Sequence, residues 1–290
     1  MTRVIDALSH AEAEIALRGG RDARLEAEVL LCYLLGIDRA KLYADLQQSV
    51  PDSTCDSLSR LVERRPREPL AYLTSDREFY GRDFYVDRRV LVPRPETETL
   101  VGQALCLAAK KQRDLRPPLR IADVGTGSGI IAVTLSLALP DASVYAIDIS
   151  SEALEVAAIN CARYGVSGRV RLLHGDLLEP LLGKVDVIVA NLPYVTDIEL
   201  AHAGADWSTA PLGSEPAIAL YGGRNGLEVI SRLMSMASMY LNPGGAIILE
   251  IGSSQGDQVL RLAQRHFGAA KHFICQDLAG LDRFLVVSLQ

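Results

Sequence analysis

A glycine-rich turn is the first segment of the sequence whose residue types suggest ligand binding. It consists of Gly125, Thr126, Gly127, Ser128 and Gly129. An apolar segment precedes it and an apolar, helix-like segment, IIAVTLSLAL, follows it. In an open α/β sheet, a strand–turn–helix unit of this kind places a ligand at the carboxyl end of the strand, and glycines let the backbone approach that ligand closely. We therefore predict a cofactor contact here, with an ordinary glycine-rich turn as the alternative.

Two acidic residues end the next two predicted strands. Asp148 lies 19 residues beyond Gly129, and an acid at that place is typical of sites that accept hydrogen bonds from both ribose hydroxyls of an adenosine ligand. Asp176 could accept the adenine amino group or could cap a helix. The dinucleotide fingerprint requires glycine at position 130, where this chain has Ile130. Binding of NAD is therefore the weaker interpretation of the turn.

The tetrapeptide Asn191-Leu192-Pro193-Tyr194 follows the apolar run VDVIVA. It resembles the Asn-Pro-Pro-Tyr motif of methyltransferases that modify amide and amino nitrogens conjugated to a π system. Such a nitrogen is a poor nucleophile because its lone pair is delocalised. The Asn191 side-chain oxygen and the main-chain carbonyl of Leu192 could accept hydrogen bonds from the two N–H groups. Tyr194 could pack against the planar group.

Alignment is the main catalytic effect expected from this motif, and it can contribute about 7–11 kcal/mol. No strong general base is needed if the proton leaves after transfer. A Pro-Tyr turn at the end of a strand, with no role in chemistry, is the alternative.

The elements that position these residues follow from hydrophobic periodicity. Residues 1–75 show helical periodicity only, which predicts a small helical bundle. Its predicted helices run from Val4 to the Gly19-Gly20 stop and over residues 22–35, 39–46 and 53–64. From residue 78, turn signals at residues 81–83 and 87–89, set between aromatic and β-branched residues, predict a β-hairpin linker or two short extended segments that join the two domains.

Strands and helices alternate from residue 95 to the end of the chain. This alternation predicts an α/β fold with a doubly wound, mostly parallel sheet, and the continuous apolar runs suit strands buried on both faces. A helix is predicted over residues 95–111. The seven predicted strands are residues 119–124, 143–148, 169–173, 185–190, 245–251, 271–275 and 283–289. Two domains are expected, residues 1–75 and 76–290.

Composition argues against several classes of partner. The net charge of −6 lacks the basic footprint of most nucleic-acid-binding proteins, so no direct nucleic acid contact is expected. No apolar run approaches the length of a membrane span, and the amino terminus lacks a signal-peptide core. The five scattered cysteines form no metal-ligand pattern, so neither disulfides nor a metal is expected. We expect a cytoplasmic protein without membrane contact.

Four further segments resemble the signatures of the peptide chain release factor glutamine methyltransferases, and the resemblance covers essentially the whole chain. They are RPREPLAYLTSDREFYG (65–81), LVPRPETE (91–98), SEPAIALYGGRNGL (214–227) and DLAGLDR (277–283). Two residues depart from the family pattern. Leu192 stands in place of the second motif residue, proline, and Ser75 in place of a linker glycine.

The resemblance implies a class I methyltransferase fold, S-adenosylmethionine as cofactor and a release factor as partner. The implied substrate is the glutamine of the Gly-Gly-Gln loop, methylated on its side-chain amide nitrogen. The helical domain would dock the release factor; a stabilising cap is the alternative. The implied cofactor contacts are residues 125–129, Asp148, Asp176, Leu177 and Asn191. Residues 191–194 would bind the substrate, and Arg94 and Glu96 are either further contacts or an ion pair at a helix start.

Leu192 leaves a second function open, because Asn-Leu-Pro-Tyr is typical of enzymes that dimethylate adenine in ribosomal RNA. An adenine-N6 methyltransferase acting on RNA or DNA is therefore the alternative, opposed by the acidic composition and the linker signature. A silent cofactor-binding protein is a further alternative, which the intact motif opposes. The preferred release factor, any need for the ribosome and the oligomeric state stay open.

Overall fold

The computed structural model describes residues 2–112, 118–202 and 214–289. The chain divides into two compact units. The first comprises Met1–Asp76 with Ala201–Ser214, and the second comprises Arg77–Leu200 with Glu215–Gln290. No helix within the described ranges is long and apolar enough to cross a membrane.

The first unit is built around a helical core. Leu8, Leu30, Leu31 and Leu42 are completely buried in it, because their helices carry apolar residues at helical spacing. The helices are α1 (Val4–Leu17), α2 (Ala23–Leu35), α3 (Arg39–Ala44), α4 (Asp52–Arg64) and α5 (Leu70–Thr74).

The expectation of helices alone in this unit was wrong in one detail. Strand β1 (Thr2–Arg3) pairs antiparallel with β2 (Ser49–Val50). Each strand has two residues, which is too short to produce an alternating pattern in the sequence.

A β-hairpin follows, formed by β3 (Asp76–Phe79) and β4 (Arg82–Tyr85). Tyr80 and Gly81 make its turn with φ of +54° and +72°, and positive φ at both central residues matches the twist of paired strands. The hairpin was one of two arrangements expected here. The second expected turn, at residues 87–89, is not followed by a strand.

The second unit contains a seven-stranded sheet in the order β10-β11-β9-β8-β5-β6-β7. Neighbours from β9 through β7 are parallel, and β11 pairs antiparallel with both β10 and β9. The strands are β5 (Arg120–Val124), β6 (Ser143–Asp148), β7 (Val170–His174), β8 (Val185–Ala190), β9 (Leu241–Glu250), β10 (Lys271–Gln276) and β11 (Asp282–Ser288). The predicted mostly parallel sheet is confirmed.

Helices cover both faces of this sheet. Along β8, Val187 and Val189 pack in one apolar cluster, while Ile188 and Ala190 pack in another. Because successive strand residues point to opposite faces, the two clusters lie on opposite sides of the sheet. The first cluster includes residues of α6 (Glu96–Gln112), α7 (Ile130–Ala138) and α8 (Ser151–Arg163). The second includes residues of α11 (Glu228–Tyr240) and α12 (Gly256–Phe267). Two short helices, α9 (Asp197–His202) and α10 (Ala217–Leu220), precede these two in the chain.

The strand order reverses at β5, which lies between β6 and β8. Open α/β sheets bind ligands at such a switch point, outside the carboxyl ends of the strands. The glycine-rich turn follows β5, Asp148 ends β6 and Asn191 follows β8. The topology therefore brings three of the predicted features to one edge of the sheet.

Candidate functional site

A cavity of about 660 Å³ lies at this edge, within the second unit. The predicted site residues that line it are Gly125, Thr126, Gly127, Ser128, Asp148, Asp176, Leu177, Asn191, Leu192 and Pro193. Arg94, Thr97 and Arg232 also line it. Gly129 and Tyr194, although predicted, lie outside the lining. The cavity thus collects ten of the twelve predicted site residues, which are scattered along the 70 positions from 125 to 194.

The turn after β5 is held by its neighbouring strand. The backbone nitrogens of Gly125 and Thr126 both donate to the Ile147 carbonyl of β6, at 2.9 Å. Gly129 has a φ of +79°, and a Cβ there would stand 3.0 Å from the Cβ of Ala157. Gly129 therefore serves close packing between the turn and α8, which explains why it does not line the cavity.

Asp123 fixes the turn from inside the protein. It is completely buried, and its Oδ2 accepts hydrogen bonds from Thr126 Oγ1 at 2.6 Å and from the Ala132 backbone nitrogen at 3.1 Å. Burial raises the pKa of Asp123 to about 7. Its role is to shape the turn.

Asn160 of α8 ties the same turn to the hairpin. Its Nδ2 donates to the Ser128 carbonyl at 2.8 Å and to the Tyr85 carbonyl at 2.9 Å. Its Oδ1 accepts from the Tyr85 backbone nitrogen at 2.8 Å. All the principal polar atoms of this buried amide are thus satisfied, as a rigid support requires.

Asp148 lies at the tip of β6, as expected, and faces the cavity. Its Oδ2 accepts from the Gly127 backbone nitrogen at 2.8 Å, and its Oδ1 from the Ser150 backbone nitrogen at 2.9 Å. Burial raises the pKa of Asp148 above its ordinary value, and the backbone donors oppose that rise. A carboxylate oxygen can accept more than one hydrogen bond, so both oxygens keep acceptor capacity toward the cavity.

Asp176 and Leu177 follow β7 at the cavity wall. The Asp176 carboxylate pairs with the guanidinium of Arg232 from α11. Leu177 is buried and has a φ of +51°, a conformation that non-glycine residues rarely adopt and that tends to occur at functional sites. The sequence offered an adenine contact or a helix cap for Asp176, and the ion pair is a third arrangement that it did not foresee.

The Asn191 carboxamide is anchored through its nitrogen. Asn191 Nδ2 donates to Thr97 Oγ1 at 3.2 Å, and Thr97 Oγ1 donates to Glu250 Oε2 at 2.9 Å. Thr97 belongs to the first turn of α6, and Glu250 is the last residue of β9. Each is only 1% exposed. The orientation of Asn191 is therefore set by two buried groups on regular elements.

Tyr194 points away from the cavity toward the same carboxyl group. Its hydroxyl donates to Glu250 Oε1 at 3.4 Å. Burial raises the pKa of Glu250 to about 7, and burial together with Glu250 raises the pKa of Tyr194. Packing of Tyr194 against a substrate stays a prediction.

Leu192 is buried with the apolar cluster that includes α11. A Cβ on Gly125 would stand 3.2 Å from Leu192 Cδ2. The side chain of Leu192, the residue that differs from the family motif, thus packs against the glycine-rich turn.

A second glycine-rich segment backs the tetrapeptide. A Cβ on Gly222 would lie 2.5 Å from the Pro193 carbonyl oxygen, so the two backbones are in direct contact. Gln255 Nε2 donates to the carbonyls of Tyr194 and Gly226, each at 3.2 Å. Gly222 and Gly226 of the sequence GGRNG therefore pack directly against the tetrapeptide.

Arg94 pairs with Glu215, whose Oε2 lies 2.5 Å from the Arg94 guanidinium. Glu215 Oε1 also accepts from the Val92 backbone nitrogen at 2.7 Å, and its side chain is completely buried. The suggested ion pair between Arg94 and Glu96 is therefore wrong. Glu215 instead fastens the segment before α6 to the segment after residue 213.

Several supporting residues were not identified from the sequence, namely Thr97, Asn160, Glu215, Glu250 and Gln255. Their contacts join elements that are far apart in the chain, with 153 positions between Thr97 and Glu250. Thr97 and Glu215 lie within signature segments, which did not indicate their contacts, and Glu250 carried a signal of its own as a charged residue within the buried run AIILEI. Within the described ranges no cluster of residues could hold a metal ion.

Two family models match the chain. The model described as the PrmC N-terminal domain matches residues 6–74. The model described as ribosomal protein L11 methyltransferase (PrmA) matches residues 101–201.

Full-length relatives are also known. The release factor glutamine methyltransferase of Moorella thermoacetica is 41% identical over 96% of this chain and 95% of its own length. That of Bacillus subtilis is 38% identical over 98% of this chain and 96% of its own length. Among solved structures, the hMettl16 catalytic domain is similar with a TM-score of 0.54 and 15% identity, covering 82% of each chain. This last likeness shows the fold alone.

Proposed function

The chain belongs to the release factor glutamine methyltransferases, and from this we propose that it methylates a glutamine side chain of a peptide chain release factor. It is an S-adenosylmethionine-dependent methyltransferase with the class I fold. The proposed acceptor is the amide nitrogen of the glutamine in the Gly-Gly-Gln loop of a class 1 release factor. The adenine-N6 alternative is not favoured by these relatives.

The cavity fits an adenosine-containing cofactor. Gly127 lines it with a φ of +54°, and a Cβ there would meet no protein atom within 4 Å, so the turn leaves open space in front of its backbone. The Asp148 carboxylate faces the same space with spare acceptor capacity. We assign residues 125–128 and Asp148 to the cofactor, with Asp176 and Leu177 beside its base. Gly129 contributes through packing.

When bound, the cofactor supplies a methyl group on a positively charged sulfur, which is electrophilic without further activation. The task of the protein is then to hold the amide nitrogen in line with that methyl group. Asn191 Oδ1 accepts a hydrogen bond from one N–H of the glutamine amide, and the main-chain carbonyl of Leu192 accepts from the other. Leucine supplies this carbonyl as well as proline does. After transfer, the nitrogen loses its extra proton to water.

One observation supports this assignment above the others. Asn191 is anchored through Nδ2 to Thr97 Oγ1, so its Oδ1 is available to a substrate in the cavity that Asn191 lines. An acceptor already oriented costs little reorganisation when the substrate binds.

The helical first unit is the proposed docking platform for the release factor. It matches the PrmC N-terminal domain over residues 6–74, and none of its described residues, 2–76, 201–202 and 214, lines the cavity. A domain without chemistry of its own but present in full-length relatives fits a role in substrate recognition. A stabilising cap is the alternative role.

A competition between acceptors tests the proposed function. The purified protein is incubated with methyl-labelled cofactor and either a class 1 release factor or ribosomal RNA. We expect label in the release factor and none above background in RNA. Label in RNA alone would replace the proposal with the adenine alternative.

A further inference from the structure

The hydroxyl of Thr97 has a single proton, and the chemistry of its two neighbours determines which of them accepts the hydrogen bond from it. Thr97 Oγ1 lies 2.9 Å from Glu250 Oε2 and 3.2 Å from Asn191 Nδ2. An ionised carboxylate oxygen can only accept, so above the raised pKa of Glu250, about 7, the hydroxyl proton points to Glu250. The lone pairs of the hydroxyl then face Asn191.

This polarity determines which end of the Asn191 carboxamide can approach Thr97. An amide NH₂ group donates to a lone pair, whereas an amide oxygen would be repelled by it. The nitrogen of Asn191 therefore faces Thr97, and Oδ1 is left for the cavity. The reverse orientation would present donors to the N–H groups of a substrate amide.

We propose that Thr97 and Glu250 are positioning residues that lock the Asn191 carboxamide in its acceptor orientation during methyl transfer. The proposal rests on the proposed function, because it concerns the same amide-binding site. Neither residue needs to touch the glutamine. Glu250 accepts the hydroxyl proton of Thr97, so that a lone pair of Thr97 Oγ1 is left to accept a hydrogen bond from the Asn191 amide nitrogen.

The surroundings of Glu250 support this role. Tyr194 donates to its other oxygen at 3.4 Å, so one carboxyl group contacts both Tyr194 and, through Thr97, Asn191. Two charges of opposite sign act on Glu250, since Arg283 lowers its pKa and Glu96 raises it. A charged residue at the end of a buried strand is costly to retain for stability alone.

The experiment compares Thr97→Val with Thr97→Ser. Valine matches threonine in shape but cannot accept a hydrogen bond from Asn191, whereas serine keeps the hydroxyl. The methyl-transfer rate is measured in single turnovers with saturating S-adenosylmethionine and release factor, and cofactor affinity by calorimetry. We expect Thr97→Val to lower the rate about 30-fold or more, because misalignment of reacting groups is costly. Thr97→Ser should restore the rate to within about threefold of wild type, and cofactor affinity should change by less than about threefold in both.

A second measurement does not depend on turnover. In asparagine-labelled protein, the NMR signal of the Asn191 Nδ2 proton bonded to Thr97 should disappear from its shifted position in Thr97→Val and stay there in Thr97→Ser. Equal transfer rates for the valine and serine variants, or an unchanged Asn191 signal in the valine variant, would overturn the proposal. If wild-type protein does not methylate the release factor, the proposed function fails, and the Asn191 signal alone then decides whether the lock exists.

Discussion

Gly226 packs directly against the carbonyl of Tyr194, such that a Cβ on Gly226 would stand 2.1 Å from the Tyr194 oxygen. The same oxygen accepts from Gln255 Nε2 at 3.2 Å. The last residue of the proposed substrate-binding tetrapeptide is therefore fixed in place by the close packing of a glycine backbone. Through this contact, the segment that follows residue 214 supports the tetrapeptide.

Replacing Gly226 by alanine should displace the tetrapeptide. The added Cβ cannot coexist with the Tyr194 carbonyl, so we expect methyl transfer to fall by about 100-fold, while cofactor affinity changes by only a few-fold. Gly165→Ala is the matched control, because Gly165 has a similar φ of +65° but no atom within 4 Å of a Cβ. It should lose about 1 kcal/mol of stability through backbone strain and keep its activity. Similar activity in the two variants would refute the displacement.

Asp148→Ala should weaken binding of S-adenosylmethionine by about 1–3 kcal/mol, because an acceptor for buried ribose hydroxyls is removed. The Gly127 backbone nitrogen would also lose its partner at 2.8 Å, so the turn would loosen as well. Calorimetric titration with the cofactor or its demethylated product measures the change. An unchanged affinity would remove Asp148 from the cofactor site.

Ser75→Gly should stabilise the first unit. Ser75 ends α5 in the left-handed conformation with a φ of +54°, which glycine adopts without the steric cost that serine bears. We expect a gain of about 0.5–1 kcal/mol, measured by thermal unfolding. Ser57→Gly, inside α4, is the matched control and should lose a similar amount. A loss of stability in Ser75→Gly would contradict the prediction.

Glu250 should make stability depend on pH. Burial raises its folded-state pKa from 4.5 to about 7. The folded state therefore binds the proton more tightly than the unfolded state does. The contribution of protonated Glu250 to the free energy of unfolding is fully present below pH 4.5. It is lost as the pH rises to about 7, and the loss is at most about 3 kcal/mol.

Glu250→Gln should remove this part of the pH dependence. Asp123 has the same raised pKa of about 7, so part of the slope should remain in the variant. Urea unfolding of both proteins across this range measures the difference. Parallel stability curves for wild type and variant would show that Glu250 ionises normally.

The sequence predicted those features that depend on local pattern. Apolar runs identified all seven strands of the sheet, and residues at strand tips identified the cavity-lining Asp148 and Asn191. Contacts between distant segments could not be predicted in this way. Arg94 and Glu215 are 121 positions apart, and neither residue type nor spacing indicates that they meet.

The most direct measurement of the central claim is tandem mass spectrometry of a class 1 release factor after incubation with this protein and S-adenosylmethionine. We predict one added methyl group, located on the side-chain amide of the Gly-Gly-Gln glutamine. Asn191→Ala should abolish this product while binding the cofactor within a few-fold of wild type, since the proposed role of the lost oxygen is to orient the substrate amide. An unmodified glutamine with wild-type protein, or a methyl group on another residue, would contradict the account.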